Sequence, residues 1–355
     1  MIPMLKSTDR PIAATYRLAL LDLDGVVYRG KNPVEYAADS IRKAEAMGMT
    51  VEYTTNNSSR FQQVVADQLK GFGLTVEPHQ IITSSVVAAR MVARFVPKGS
   101  KVLVLGADHL RQEVERQGLV AVEQAEDNPV AVIQGWYPQM TWQQMAEVSY
   151  AVERGAKYFV TNRDLTIPRE LGIAPGCGSM IRAVINATGV EPIASAGKPE
   201  SAMYDEARLL VADEGEDLVA KEDCLAIGDR LDTDIEAGNR GGYDSLAVLT
   251  GVTNPRELML APAHLRPSYI VLDLRGLLEP QPAVTCDGDG VWHCRQATAT
   301  ITNGRLAVSD GTGTTGVIND IDVVRAACAA MWAYSDAGDV VSRNDGSGVE
   351  LPRFA

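Results

Sequence analysis

Apolar residues along this chain fall in short unbroken runs: Leu18-Ala19-Leu20-Leu21, Cys224-Leu225-Ala226-Ile227, Leu246-Ala247-Val248-Leu249 and Tyr269-Ile270-Val271-Leu272. Runs of this length, without polar alternation, predict strands buried on both faces, as in a parallel sheet. Between them the spacing becomes helical, over 34–47 up to Gly48, from about Arg60 to Gly71-Phe72-Gly73, and over 207–213. A strand over Thr50–Thr54 separates the first two of these helices. Strand–helix alternation at short spacing predicts an α/β fold, a doubly wound parallel sheet. The run at 269–272 comes last and is expected at or near an edge.

The alternation is interrupted by roughly a hundred residues with strands of their own, about the size of a small domain. Lys101–Leu105, Val130–Ile133 and Tyr158–Val160 alternate there with helices near 107–117, 141–154 and 179–188. We read a discontinuous core, 14–90 and 195–277, with a second α/β domain inserted over 91–194. After about Pro280 the character changes to hairpin-like runs from Thr285 to Ser309 and one helix, Ile321–Tyr334. Residues 278–355 thus predict a small α+β extension.

Composition narrows the partners. A formal charge of −13 argues against nucleic acid and anionic membrane surfaces, and requires any phosphate site to be built from local cations and amides. No apolar stretch approaches a membrane span, and the N-terminus lacks a signal-peptide pattern. Five cysteines without a C-x-x-C pair predict free thiols in a reducing cytoplasm.

Ligands of such sheets bind at the carboxyl ends of the strands. Those ends carry Asp22-Leu23-Asp24-Gly25, Thr55-Asn56-Asn57, Gly197-Lys198-Pro199 and Gly228-Asp229-Arg230-Leu231-Asp232-Thr233-Asp234. Each alone has a plain rival: a strand-ending turn, a capping cluster, a loop lysine or a solvated loop. Together, acidic groups, one lysine and a hydroxyl–amide cluster suit Mg²⁺-assisted phosphoryl chemistry. Asp22 is the expected nucleophile, forming an aspartyl-phosphate, and Asp24 the acid/base. Thr55 and Lys198 are expected on phosphoryl oxygens, with Asn56 and Asn57 beside them. Asp22, Asp24, Asp229 and Asp234 are the expected metal set, and Asp232 a solvated loop residue.

These motifs resemble the haloacid dehalogenase superfamily of Mg²⁺-dependent phosphatases, over about residues 14–275. Within it they resemble the branch of nitrophenylphosphatase-like enzymes, pyridoxal phosphate phosphatase and phosphoglycolate phosphatase. The resemblance implies that the insert is a cap, that it supports homodimers, and that Thr161-Asn162-Arg163-Asp164 and Pro175-Gly176-Cys177-Gly178 face the substrate. Asn162 and Asp164 join the expected substrate-binding residues on that ground. Where this branch often has an acidic residue after a Gly-aromatic pair, the chain reads Gly135-Trp136-Tyr137. With its extension, the architecture resembles actinobacterial glycerol 3-phosphate phosphatases, whose tail is acetyltransferase-like. A small phosphorylated metabolite, with glycerol 3-phosphate first, is the implied substrate; pyridoxal phosphate, phosphoglycolate or a sugar phosphate are alternatives.

Other signals are weaker. Gly311-Thr312-Gly313-Thr314-Thr315-Gly316 matches G-x-G-x-x-G but lacks the βαβ unit of a dinucleotide site, and reads as a turn capping the next helix. Cys286, His293 and Cys294 lack a fourth zinc ligand at finger-like spacing. Trp136, Tyr137 and Trp142 read as packing in the insert, with a substrate-facing role as the rival. Two further functions stay open: metabolite binding through the extension, and phosphotransfer to an alcohol.

Overall fold

The computed structural model describes residues 5–169, 171–213, 215, 217–311, 320–338 and 349–352. Its contacts divide the chain into two compact units, 1–51 with 218–355, and 52–217.

The first unit is built on parallel strands in the order Tyr269–Val271, Asp244–Val248, Cys224–Gly228, Leu18–Asp22. Every residue of Leu18–Asp22 and Cys224–Gly228 is buried, which accounts for their unbroken apolar character. Their register pairs Leu18 with Cys224 and Leu21 with Ile227, so Asp22 ends one strand beside Gly228-Asp229 at the end of the other. The strand at Tyr269–Val271 is an edge strand, as its position in the sequence suggested. The helix expected from residue 34 begins instead at Ala37. Asn32–Pro33 pairs back onto Tyr28–Arg29, and Tyr36 is left-handed (φ 63°), so the backbone turns helical only afterwards.

The extension belongs to this first unit. Its hairpin-like runs form a four-stranded antiparallel sheet, Val284–Cys286, Trp292–Cys294, Ala297–Thr302 and Arg305–Ser309. The helix Ile321–Asp336 follows, capped by the Asp320 side chain, which accepts from the Asp322 N–H at 2.8 Å. Of the glycine-rich run 311–316, residues 312–316 lie outside the described residues. His293 bonds Asp287 at 2.8 Å, and the Cys294 thiol donates to Asp322 Oδ1 at 3.4 Å.

The strand Thr50–Thr55 carries the chain into the second unit. There it pairs in parallel with Ile81–Thr83, a short strand that the sequence reading passed over, followed by the equally unforeseen helix Ser84–Phe95. Thr83 caps that helix, its hydroxyl accepting from the Val86 N–H at 3.3 Å. A separate parallel sheet has the order Ala194–Ser195, Lys157–Val160, Ala131–Gln134, Lys101–Leu105, Val120–Val122. Helices Asp108–Arg116, Trp142–Glu153 and Cys177–Thr188 accompany it, close to where helical spacing places them. A hairpin of Thr166–Arg169 and Gly172–Pro175 precedes the last of these. Trp136 and Tyr137 pack against the core of this sheet. Trp142 does not; it opens a helix and is 71% exposed.

Candidate active site

In the first unit, two strands and the turn after one of them bring three carboxylates together. Oxygens of Asp22, Asp229 and Asp234 all lie within 4.8 Å of one another. The residues are 9%, 2% and 2% exposed, so their charge is held largely out of water. Such a trio is costly in repulsion and desolvation unless a cation sits among it.

Backbone amides and glycines shape the trio. Asp229 Oδ2 accepts the Val252 N–H at 2.7 Å, and the Asp229 carbonyl accepts the Thr253 N–H at 3.0 Å. Asp234 sits in a π-helical turn, Leu231–Ile235, where its Oδ2 accepts the Arg230 N–H at 3.1 Å. A Cβ on Gly25 would lie 2.4 Å from Asp229 Oδ2, and one on Gly228 only 2.1 Å from the Asp234 Cβ. Gly25 is also left-handed at φ +80°. Glycine is therefore required at both positions for the carboxylates to approach. The loop after Val248 closes the wall: the Thr250 hydroxyl donates to the Gly25 carbonyl at 2.7 Å, and a Cβ on Gly251 would lie 1.8 Å from Asp229 Oδ2. Gly251 and Val252 escaped sequence reasoning, since neither is ionisable nor part of a strand-end motif; the nearest signal was their place just beyond an apolar run.

The donor set consists of hard carboxylate oxygens with no sulfur or imidazole, which fits Mg²⁺. Asp24 stands apart from this group: its side chain is exposed to water, two residues beyond Asp22. Asp232 is likewise outside it and engages Arg230 through two hydrogen bonds at 3.1 and 2.9 Å, in keeping with a solvated loop.

A second cluster forms within the second unit, with Asn56 at its centre. The Asn56 Oδ1 accepts the Lys198 N–H at 2.8 Å, and its Nδ2 donates to the Lys198 carbonyl at 3.0 Å. The same Nδ2 reaches Asp164 Oδ1 and Oδ2 at 3.1 and 3.2 Å. The Asn56 carbonyl accepts from Asn162 Nδ2 at 2.9 Å and from the Ser84 hydroxyl at 2.7 Å. Asn162 also accepts the Asp164 N–H, at 3.2 Å. Gly197 makes this possible, because a Cβ there would meet Asn162 Cβ and Asn56 Oδ1 at 2.7 Å. Lys198, 2% exposed and preceding Pro199 through a cis peptide bond, is thus fixed from both sides of its backbone.

The neighbours of Asn56 differ in use. The Thr55 hydroxyl accepts the Asn57 N–H at 3.2 Å, which leaves its own proton for another acceptor. Asn57 spends its Oδ1 on the Ser59 N–H and hydroxyl, both at 2.9 Å, a local side-chain turn. Tyr137 donates to Gln144 at 2.7 Å and lines a cavity of about 450 Å³ with Arg111 and Glu123.

The chain is similar to known proteins along most of its length. The family model for haloacid dehalogenase-like hydrolases matches residues 19–120, and a HAD-hydrolase-like model matches 195–277. The D-glycerol 3-phosphate phosphatase of Mycobacterium tuberculosis is 35% identical over 326 residues, covering 91% of this chain and 88% of the relative. The 5'-nucleotidase YutF of Bacillus subtilis is 35% identical over 254 residues, 70% of this chain and 94% of that one. Among solved structures, the M. tuberculosis glycerol phosphate phosphatase in complex with magnesium superimposes with a TM-score of 0.79 at 34% identity, covering 96% of this chain and 95% of that one. The p-nitrophenyl phosphatase from Archaeoglobus fulgidus does so at 0.68 and 29% identity, covering 74% and 98%. The chain belongs to the haloacid dehalogenase-like hydrolases.

Proposed function

We propose that this chain is a Mg²⁺-dependent phosphatase that hydrolyses a small phosphate monoester through an aspartyl-phosphate on Asp22, with glycerol 3-phosphate as the first candidate substrate. The observation that carries the reading is the buried trio Asp22, Asp229 and Asp234, whose oxygens lie within 4.8 Å of one another. This trio, with the Asp24 backbone carbonyl, would hold Mg²⁺, which would supply the positive charge that lets a carboxylate approach a phosphate dianion.

The residues then divide the work. Asp22, at the end of a fully buried strand, presents its carboxylate oxygen to phosphorus. Asp24, exposed to water, delivers a proton to the leaving oxygen and afterwards takes one from the attacking water. Thr55 donates its remaining hydroxyl proton to a phosphoryl oxygen, and the Lys198 ammonium offsets charge on the transferring group. Asn56 acts through Lys198 by gripping its backbone on both sides. Asn57, Asn162 and Asp164 complete the substrate side. In this reading residues 91–194 act as a cap that admits small esters, and two such caps pair in a homodimer. No helix among the described residues is long and apolar enough to cross a membrane; the free thiols of Cys177, Cys224, Cys286, Cys294 and Cys328 support a place in the reducing cytoplasm.

Glycerol 3-phosphate rests on the extent of the match to the mycobacterial relative, whose 326 aligned residues are too many to end before the extension. A phosphate-release panel tests the reading, with glycerol 3-phosphate, pyridoxal phosphate, phosphoglycolate, a sugar phosphate and a nucleoside monophosphate as substrates. Mg²⁺-dependent release that is highest for glycerol 3-phosphate, and lost in Asp22→Asn, is expected. Full activity in Asp22→Asn would sink the mechanism, and preference for another ester would replace the substrate.

A further inference from the structure

The extension and the metal-ligand loops share one hydrophobic cluster. Leu231 and Ile235, at either end of the turn that carries Asp234, belong to it, as does Leu258. From the helix Ile321–Asp336 come Cys328, Met331 and Trp332. These side chains are fully or almost fully buried, so the extension forms the apolar backing of those loops.

Polar contacts fix the same face. The Trp332 indole N–H donates to the Leu258 carbonyl at 2.8 Å. The Arg266 guanidinium lies 5.3 Å from the centre of the Trp332 ring, donates to the Ala261 carbonyl at 3.0 Å and pairs with Asp336 at 2.7 Å. Arg266 is 2% exposed, while the Asp336 side chain keeps 21% of its surface in water, so the pair anchors the buried guanidinium from the rim of the cluster. Upstream, the short helix Pro255–Met259 opens on a reciprocal cap, with Asn254 and Glu257 each accepting the other's N–H at 3.1 and 3.2 Å. Directly before that cap come Val252 and Thr253, whose amides hold Asp229. A path of bonded groups therefore runs from Trp332 and Asp336 to a metal ligand, buried at Leu258 and Arg266, exposed at Asn254, Glu257 and Val252, and joined by the Leu258 N–H on the Asn254 carbonyl at 3.2 Å.

We propose that the extension is a positioning element of the cation site: Trp332, Arg266 and Asp336 lock the segment from Leu258 to Arg266, which keeps the Val252 amide on Asp229, while the shared cluster braces the turn of Asp234. Mg²⁺ demands near-ideal octahedral placement of its oxygens, so small shifts of a ligand loop cost affinity. The extension thereby sets how tightly the cation is held, without contacting it. This inference rests on the Mg²⁺ reading given above.

The test measures Mg²⁺ binding directly, by titration calorimetry on full-length protein without substrate, well below each variant's melting temperature. Trp332→Phe removes the indole donor but keeps most of the volume, and Asp336→Asn removes the negative charge that faces the Arg266 guanidinium. Asp287→Asn, in the exposed pair with His293 elsewhere in the extension, is the control. We expect the first two to weaken Mg²⁺ binding about fivefold, somewhat below the roughly 10- to 100-fold known for groups bonded directly to ligands. The KM for the ester at saturating Mg²⁺ should not move, and Asp287→Asn should bind as wild type. Folded Trp332→Phe and Asp336→Asn that bind Mg²⁺ like wild type would overturn the inference and leave the extension a matter of stability alone. Wild-type protein that binds no Mg²⁺ would overturn the metal reading itself, a separate and recognisable result.

Discussion

Gly251→Ala is the sharpest steric test of the carboxylate trio. The added Cβ would stand 1.8 Å from Asp229 Oδ2 and 2.3 Å from its Cγ, where ordinary contact begins near 3.4 Å. The two groups must therefore move apart by about a further 1.6 Å. Gly251 does not occupy the left-handed region, so alanine brings contact without backbone strain. Magnesium–oxygen bonds span only about 2.0–2.1 Å, and a displacement of this size takes Asp229 out of reach. Loss of a direct ligand should cost at least about 100-fold in Mg²⁺ affinity, the upper end of the effect seen for outer partners, or about 2.7 kcal/mol. Titration calorimetry gives the affinity, and phosphate release against Mg²⁺ concentration gives the activation constant. Gly288→Ala, where a Cβ meets nothing within 4 Å, should leave both unchanged. A Gly251→Ala protein with wild-type Mg²⁺ affinity would refute the claim that this glycine wall holds a metal ligand.

Three more outcomes follow from the second unit. Asn56→Ala strips the Lys198 backbone of two hydrogen bonds and Asp164 of an N–H donor; at about 1–3 kcal/mol for buried groups left unsatisfied, kcat/KM should fall roughly 5- to 150-fold, and an unchanged value would remove Asn56 from the positioning of Lys198. Glu206, 3% exposed in its side chain, pairs with Arg90 at 2.7 Å and also with Arg94, whose side chains are 24% and 54% exposed; Glu206→Ala should cost about 1.5 kcal/mol in urea unfolding, as for a hydrogen bond to a charged group, and a loss below about 0.5 kcal/mol would mean that the pair is screened by solvent. Burial lowers the pKa of His109 from 6.5 to about 4, with its Nε2 on the Thr83 hydroxyl at 2.9 Å. The unfolded chain takes up this proton first, so the stability held above pH 6.5 declines as pH falls towards 4, by at most about 3 kcal/mol. Burial raises the Glu113 carboxyl and works in the opposite direction, so His109→Gln, compared with wild type by unfolding across that range, isolates the histidine. A His109→Gln protein with the wild-type pH profile would contradict the assignment.

Much of the site was legible because parallel sheets concentrate chemistry at strand ends. Buried parallel strands leave long apolar runs, so Asp22 and Asp229 stand out as the first charges beyond them. The residues that hold those charges are less visible. Val252 contributes only an amide and Gly251 only the lack of a side chain, and neither leaves a periodic or ionisable signal. Asn56 was placed with the phosphate-binding groups, but its role as the clamp of Lys198 depends on a partner 142 residues away. The extension looked like a separate unit from its change to hairpins, yet its helix shares a buried cluster with Leu231, Ile235 and Leu258. Apolar periodicity marks which face is buried without saying against what. The late start of the helix at Ala37 has the same origin: the left-handed Tyr36 is set by a hairpin that composition does not show.

The central claim is that Asp22 carries the phosphoryl group. Rapid mixing of wild-type enzyme with Mg²⁺ and excess glycerol 3-phosphate, followed by borohydride quench and peptide mass analysis, tests it directly, because borohydride reduces an acyl-phosphate at aspartate to homoserine. The account predicts homoserine at position 22 and nowhere else, with none when Mg²⁺ is left out. Homoserine at Asp24 or another carboxylate, or none at all from enzyme that is releasing phosphate, would contradict it.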